Sequence, residues 1–224
     1  VGERHRPELD DSGKAKRYKS GKKEGQIRTK RITFFRPPNE RDLEALETAK
    51  NRLEEQWDEW EREGLIPTER FPEGNDMRPV IYGMPRWCDL FTPRQLLGHL
   101  TAIEKLNSLK PRIVTAVGED RGRALVTYLQ FMIDKVVSYN GKQTRWITQR
   151  ETLGQAFTRH DFSLKWTYGE MIYSGPSSAL DWGLSQILDA YEGIAELAPE
   201  INREDPSSPS VTVLQETAAH MPEI

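Results

Sequence analysis

The chain contains one cysteine, Cys88, and no long apolar run among its 224 residues. A single cysteine cannot form an internal disulfide and does not make a metal-ligand cluster. No segment approaches the roughly 18 apolar residues of a membrane-spanning helix, and no signal-peptide pattern opens the sequence. We therefore expect a cytoplasmic protein that has no membrane partner and binds no metal.

Recognisable catalytic motifs are also missing. None of the histidines has a partner at zinc-ligand spacing; they are His5, His99, His160 and His220. The nearest approach to a phosphate-binding glycine loop, Gly118 to Gly122, has the wrong spacing and no Lys-Ser/Thr after it. Cys88 is a conceivable nucleophile, but a lone cysteine beside Trp87 is more often a small packing residue. We expect no catalytic residue within this chain.

Apolar residues are scarce as well, at 36% of the sequence against 30% charged residues. Such a balance is polar for a compact domain, so part of the chain should contribute little to a core. The sequence begins with Val1 rather than Met, and residues 211–224 read as a strand and turn without a continuation. We expect an internal portion of a longer protein, although trimming of the chain would look the same.

Positive charge is concentrated in residues 1–36, which carry twelve Lys/Arg against five Asp/Glu. This segment has a net charge of +7, whereas the rest of the chain has −10. Lys and Arg displace counterions from phosphate, so a basic arm beside an acidic body often marks DNA contact. With Tyr18 as the only aromatic residue among the basic ones, a solvated tail is an open alternative. The predicted nucleic-acid-binding residues are Lys14, Lys16, Arg17, Lys19, Lys22, Lys23, Arg28, Lys30 and Arg31.

The first third of the chain predicts an arm, a strand and a helix. Residues 1–26 have few apolar residues and should be a flexible basic arm without regular structure. The β-branched and aromatic residues of Ile27 to Phe35 predict a strand. Asn39 is a favourable N-cap for a helix that runs to about Arg62. Its apolar stripe is Leu43, Leu46, Ala49, Leu53, Trp57 and Trp60.

Three further helices are predicted. The first begins with Thr92 as N-cap and Gln95 completing a capping box, and it should end near Pro111. Its buried face is Leu96, Leu97, Leu100, Ile103, Leu106 and Leu109. The others run from about Glu119 to Ser138 and from Ser178 to Leu197, and residues 142–176 lack periodicity. The pattern predicts a mainly α fold with short β-strands.

These elements suggest four regions. After the arm, residues 27–86 hold a strand, a long helix and a loop-rich connection, and residues 87–205 form a helical region. Residues 206–224 read as a linker followed by a strand at 210–215.

Two local patterns could bind a ligand. The stretch from Trp87 to Leu97 feeds a strongly capped helix, whose exposed backbone N–H groups could hold a carboxylate or phosphate. A well-made helix start without a ligand is the more common explanation. The stretch from Phe162 to Tyr173 is rich in aromatic residues and includes Glu170. Its rings could stack on a base or a cofactor, although core packing is more usual.

These stretches resemble the large adenine-specific DNA methylases that carry a zinc ribbon. The resemblance covers about residues 27–224. It rests on Tyr82-Gly-Met, Trp87 with Asp89-Leu-Phe-Thr-Pro-Arg-Gln-Leu-Leu97, Arg123-Ala-Leu-Val-Thr-Tyr-Leu129, Trp166-Thr-Tyr-Gly-Glu170, Ser210-Val-Thr-Val, and Ala218 before Met221-Pro222. The Asp89–Leu97 stretch is the most specific part. The family's glycine-rich cofactor motif, its zinc ribbon and its Asp-Pro-Pro-Tyr motif are absent from this sequence.

The resemblance implies an internal portion of an α/β S-adenosylmethionine-dependent methyltransferase that joins the cofactor and catalytic halves. Its partners would be DNA and the remaining parts of the same protein. By a weaker analogy with amino-group DNA methylases, Phe91, Thr92, Pro93 and Arg94 would contact S-adenosylmethionine. The chain alone should be inactive and should not bind the cofactor tightly. The alternatives are a non-enzymatic DNA-binding module and a scaffold of a modification or defence system.

Overall fold

Helix α3 is the central element of the molecule, because it packs against both α1 and α4, and α5 in turn packs against α4. The computed structural model describes residues 2–74, 76–158 and 168–197. Its α-helices are α1 (Glu40–Arg62), α2 (Arg78–Ile81), α3 (Pro93–Val117), α4 (Glu119–Val137) and α5 (Ala179–Leu197), and a 3₁₀ helix spans Trp87–Leu90. Its strands are β1 (Gly2–Pro7), β2 (Thr29–Phe34), β3 (Arg145–Ile147) and β4 (Thr152–Gly154). The predicted mainly α fold with short strands is confirmed.

Helix α1 begins where the sequence predicts. The Asn39 side chain accepts a hydrogen bond from the backbone N–H of Asp42 at 3.1 Å, and the Asp42 carboxylate accepts from the N–H of Asn39 at 2.8 Å. The predicted apolar stripe is only partly buried, because Leu43 and Leu46 are 56% and 42% exposed. The buried residues of α1 begin at Ala49, so these two leucines lie on turns that the core does not cover.

The main core lies between α1, α3 and the loop that connects them. Its buried side chains are Leu53, Trp60, Ile66, Cys88, Leu96 and Leu100. The Trp60 indole N–H donates to the Glu104 carboxylate at 3.0 Å, which ties α1 to α3. Cys88 is 2% exposed, and burial raises the pKa of its thiol. Cys88 is therefore a packing residue, as its position beside Trp87 suggested.

Helix α3 is longer than predicted. It does not end near Pro111 but continues to Val117, where Gly118 follows with a φ of 87°. Pro111 lacks the N–H that would bond to the preceding turn of the helix. In the turn that follows, the Thr115 hydroxyl donates to the Pro111 carbonyl at 2.9 Å. Helix α4 then packs closely, since a Cβ added at Gly122 would lie 2.7 Å from Val114 Cα. This contact holds the last turns of α3 in place.

The basic arm has regular structure, contrary to the sequence prediction. Strand β1 pairs antiparallel with β2, with Gly2 opposite Phe34 and Pro7 opposite Thr29. Isolated bridges join Leu9 to Ala15 and Arg17 to Ile27, so the chain between the strands folds back on itself. We call residues 2–34 the basic meander. The prediction failed because backbone hydrogen bonds between strands need no apolar side chains.

The region after α4 contains a second hairpin that the sequence did not reveal. Strands β3 and β4 are three residues each, too short for alternation to be visible. The Asn140-Gly141 turn and helix α5 lie where they were predicted. The predicted strand at 210–215, the linker before it and the first half of the aromatic stretch from Phe162 lie outside the described residues.

In the part of the chain that the structure describes, no helix is long and apolar enough to cross a bilayer. The same residues contain no group of three or more His, Cys, Asp or Glu side chains arranged to hold a metal ion.

Candidate functional site

The predicted cofactor-contacting residues lie at the start of α3. Thr92 is its N-cap and Pro93 its first residue. The Thr92 hydroxyl accepts from the N–H of Gln95 at 3.2 Å, and the Gln95 side-chain oxygen accepts from the N–H of Thr92 at 3.0 Å. The predicted capping box is therefore confirmed.

The capping box leaves little of the helix start available to an anion. The N–H of Gln95 bonds to the cap, the N–H of Leu96 bonds to the Thr92 carbonyl, and Pro93 has no N–H. Within the described residues, only the N–H of Arg94 has no partner in this first turn. The positive charge near the helix start comes chiefly from the Arg94 guanidinium.

Phe91 points into the protein interior. Its ring meets the His99 ring edge to face, with centroids 5.0 Å apart. It also packs against the main core and against a smaller buried cluster formed by Met84 and Leu90. Phe91 thus holds the start of α3 against the turn at Asn140-Gly141, where its ring also approaches Gly141. This position suits a residue that supports the start of α3 through packing and does not itself contact a ligand.

The two stretches singled out in the sequence meet beside the first turn of α3, and we call this contact region the corner. The Arg94 guanidinium forms an ion pair with the Glu170 carboxylate at 2.5 Å, across 76 residues of sequence. The Gln95 amide contacts the Gly169 carbonyl at 3.5 Å. The Thr144 hydroxyl also bonds with the Gly169 backbone, accepting from its N–H at 3.1 Å. Segment 168–173 is therefore fixed against the first turn of α3.

A buried polar network lies behind the corner. His99 is 3% exposed; its Nε2 lies 2.9 Å from the Asn140 carbonyl, and its Nδ1 lies 3.2 Å from the Tyr173 hydroxyl. A carbonyl only accepts, so Nε2 carries the proton and Nδ1 accepts from Tyr173. Burial lowers the pKa of His99 to about 4, and burial raises the pKa of Tyr173. Both groups are neutral near pH 7.

A cavity of about 330 Å³, lined by more apolar than polar surface, opens beside this network. Its lining combines a cation, an anion, two amides and a phenol with apolar side chains: Arg94, Gln95, Asn140, Glu170, Met171, Ile172 and Tyr173. Of the four predicted cofactor residues, only Arg94 lines it. We call this space the Asn140 cavity.

Asn140 is fully buried, and one end of its amide has no partner. The side-chain oxygen accepts from the N–H of Met171 at 2.7 Å, which fixes the orientation of the amide. The Nδ2 group donates to no atom of the described residues. A buried donor left unpaired costs about 1–3 kcal/mol, so the Asn140 amide is a cost that the surrounding packing has to offset.

The predicted nucleic-acid-binding residues lie on the basic meander, and those with described side chains are exposed. Two also support its fold: Arg17 donates to the Gly25 carbonyl at 2.6 Å, and Arg28 pairs with Glu8 at 3.1 Å. Arg28 and Lys23 also lie 5.8 and 6.0 Å from the centre of the Tyr18 ring. The backbone of Arg31 is in β2, and its side chain is outside the described part.

Sequence reasoning missed the residues behind the helix start. His99 read as an isolated histidine, and Asn140 read only as part of a turn. Tyr173 was one aromatic among several. The apolar stripe of α3 does place His99 beside Leu96 and Leu100, which could have indicated a buried histidine. Nothing local indicates that Asn140 faces a cavity, because that depends on contacts with residues 30 positions away.

Comparison with known proteins gives no assignment. No protein-family model matches the chain, and neither a curated protein nor a solved structure shows significant similarity to it.

Proposed function

We propose that this chain is an internal segment of an S-adenosylmethionine-dependent, adenine-specific DNA methyltransferase, linking the cofactor and catalytic halves. The observation that carries the proposal is the meeting of two stretches on which the family resemblance rests. Asp89–Leu97 and Trp166–Glu170 are far apart in sequence, yet Arg94 pairs with Glu170 and Gln95 contacts Gly169. A shared corner explains why both stretches would be needed in one protein.

In this proposal the start of α3 forms one wall of the cofactor site. Arg94 contributes the positive charge, while Thr92 and Pro93 set the direction of the helix on which Arg94 stands. Phe91 acts indirectly, since its ring holds the corner in place from the interior. S-adenosylmethionine would supply the methyl group, and the residues that grip the adenine would lie in other parts of the enzyme.

The test is the affinity of the protein encoded by the complete gene for S-adenosylmethionine. Arg94→Ala should weaken binding at least tenfold, because it removes the cation at the corner. Phe91→Ala should weaken it by a smaller factor through loss of packing. Thr92→Ser is the matched control, since it retains the capping hydroxyl and should bind normally. Unchanged affinity in both Arg94→Ala and Phe91→Ala would refute the assignment of this corner.

A non-enzymatic DNA-binding module is the second candidate, and the basic meander favours it. The meander presents its lysines to solvent from a hydrogen-bonded fold rather than from a loose tail. This alternative predicts DNA affinity without affinity for S-adenosylmethionine. Measuring both ligands on the same preparation distinguishes it from the methyltransferase.

A further inference from the structure

An apolar groove lies between helices α4 and α5 at the surface of the molecule. Its volume is about 610 Å³, and its walls include Leu125 and Tyr128 from α4 and Leu184, Leu188 and Tyr191 from α5. We call it the α4–α5 groove. It shares no lining residue with the Asn140 cavity, so it is separate from the candidate cofactor site.

The apolar side chains of the α4–α5 groove are exposed to solvent. Leu125 is 45% exposed, and on α5 Leu188 and Tyr191 are 51% and 52% exposed. Ile194, one turn beyond Tyr191, is 61% exposed. Exposed apolar residues are ordinary when they are scattered singly, whereas a contiguous set along a groove marks an interaction surface.

The spacing of these side chains fits a helical partner. Leu184, Leu188, Tyr191 and Ile194 recur every three or four residues, so they form one row along α5. The row is about 15 Å long, which corresponds to roughly three turns of a helix. Two neighbouring helices with an apolar row between them form the kind of groove that receives a third, amphipathic helix.

The charged residues of α5 are all acidic. The helix contains Asp181, Asp189, Glu192 and Glu196 and neither Lys nor Arg. Asp181 lies one turn before Leu184 and Glu192 one turn after Leu188, so exposed carboxylates flank the apolar row. On the α4 side, Arg121 lines the groove. The α5 edge therefore favours a partner that carries positive charge beside its apolar face.

The same charge pattern decides against other occupants. A second copy of this chain would bring two acidic α5 edges together, and like charges across an interface weaken it. Residues 198–224 contain five Asp/Glu and one Arg, so their charge does not complement α5 either. DNA phosphates and anionic lipid headgroups attract Lys and Arg rather than carboxylates.

We propose that the α4–α5 groove binds an amphipathic helix of about three turns from outside this chain, whose apolar row is flanked by Lys or Arg. The apolar row of the partner packs between α4 and α5, and its basic side chains pair with Asp181 and Glu192. The proposal rests on the groove and its charges and does not depend on the methyltransferase assignment.

The first experiment titrates the full 224-residue chain into two fluorescein-labelled helical peptides of about fourteen residues. Both peptides carry the same row of leucines, flanked by Lys in one and by Glu in the other. Fluorescence anisotropy should show saturable binding of the Lys peptide, at least tenfold tighter than that of the Glu peptide. A Lys peptide scrambled to remove the row should lose this affinity. Equal affinities, or no binding of either peptide, would overturn the proposal.

Variants test whether the Lys peptide occupies the groove. Leu188→Lys places a charge in the apolar row and should weaken binding at least tenfold. Leu43→Lys on α1 is the matched control, because Leu43 is similarly exposed, at 56%, and lies outside the groove. Glu192→Lys should reduce the preference for the Lys peptide over the Glu peptide, and Glu54→Lys on α1 should not. Binding that is unchanged in both groove variants would refute this location.

Sedimentation velocity of the chain without peptide tests the competing occupant. The proposal predicts the same sedimentation coefficient for the unmodified chain, Leu188→Lys and Leu43→Lys. A dimer that Leu188→Lys alone converts to a monomer would assign the groove to a second copy and reject a basic partner. None of these outcomes depends on the binding of S-adenosylmethionine.

Discussion

At the scale of single residues, His99 joins packing to electrostatics. Its ring is enclosed by Phe91 and Tyr173, with ring centroids 5.0 and 5.4 Å away. Both ring nitrogens have hydrogen-bond partners that suit the neutral form. Protonating His99 would require Nδ1 to give up its acceptor role toward Tyr173. Burial of the ring lowers its pKa to about 4.

His99 should make stability depend on pH between 5 and 7. Its pKa is 6.5 in the unfolded chain and about 4 in the folded one, so the unfolded chain binds more protons in this range. The contribution of His99 to the free energy of unfolding is therefore fully present above pH 6.5 and is lost as the pH falls below it. The free energy of unfolding, measured with urea, should decrease by about 2 kcal/mol from pH 7 to pH 5.

The control for this pH dependence is His99→Gln, which has no titrating side chain and should lose most of the slope. Asp42 titrates outside the range, because the Arg36 guanidinium holds the pKa of its carboxyl at about 2. An equal slope in His99→Gln would assign the effect to other groups.

At the scale of elements, the helix starts were predictable from local sequence, whereas the end of α3 and strands β1, β3 and β4 were not. Asn39 and Thr92 carry their own caps within three residues, so the sequence alone places α1 and α3. The continuation of α3 past Pro111 depends on α4, which packs against Val114 through Gly122. Strand β1 depends on a partner more than 20 residues away. Non-local contacts decide these cases.

Pro111 should lower the free energy of unfolding, and the packing of α4 against α3 should offset that loss. Pro111→Ala restores a backbone N–H in the middle of α3 and removes the ring from the helix. We expect a gain of roughly 1–2 kcal/mol in the free energy of unfolding, after allowing for a freer unfolded chain. The measurement is urea unfolding of the variant. Destabilisation would mean that the ring is needed where the helix bends or packs.

The same contrast applies to the candidate site. Phe91, Thr92 and Arg94 were singled out from a local motif, and Glu170 was singled out from its aromatic neighbourhood. That Arg94 and Glu170 form a pair could not be read from either stretch, since 76 residues separate them. The burial of Asn140 was out of reach for the same reason, because the Met171 N–H that bonds to its side-chain oxygen lies 31 residues further along the chain.

At the scale of the whole molecule, opposite charges are kept on separate parts. The basic meander and the two residues that follow it carry a net charge of +7, and the remaining sequence carries −10. Lysines on a folded meander keep fixed relative positions, which suits a surface that follows a phosphate backbone. The acidic remainder should not bind DNA by itself.

DNA binding through the basic meander should depend strongly on salt. Replacing Lys14, Lys19 and Lys22 by Ala should weaken binding to duplex DNA and reduce the slope of log K against log salt by up to about 3. Fluorescence anisotropy at several salt concentrations measures both quantities. A matched triple replacement of Lys50, Lys105 and Lys110, all exposed on α1 and α3, should have little effect. Salt-insensitive binding, or none, would exclude the meander as a DNA contact.

The most direct test of the methyltransferase proposal is methyl transfer by the protein encoded by the complete gene. The enzyme is incubated with unmethylated DNA and S-adenosylmethionine carrying a tritiated methyl group, and the nucleosides are then separated. The proposal predicts label in N6-methyladenine, reduced at least tenfold in Arg94→Ala and retained in Thr92→Ser. Cofactor binding without labelled adenine, or neither binding nor label in a folded preparation, would contradict it.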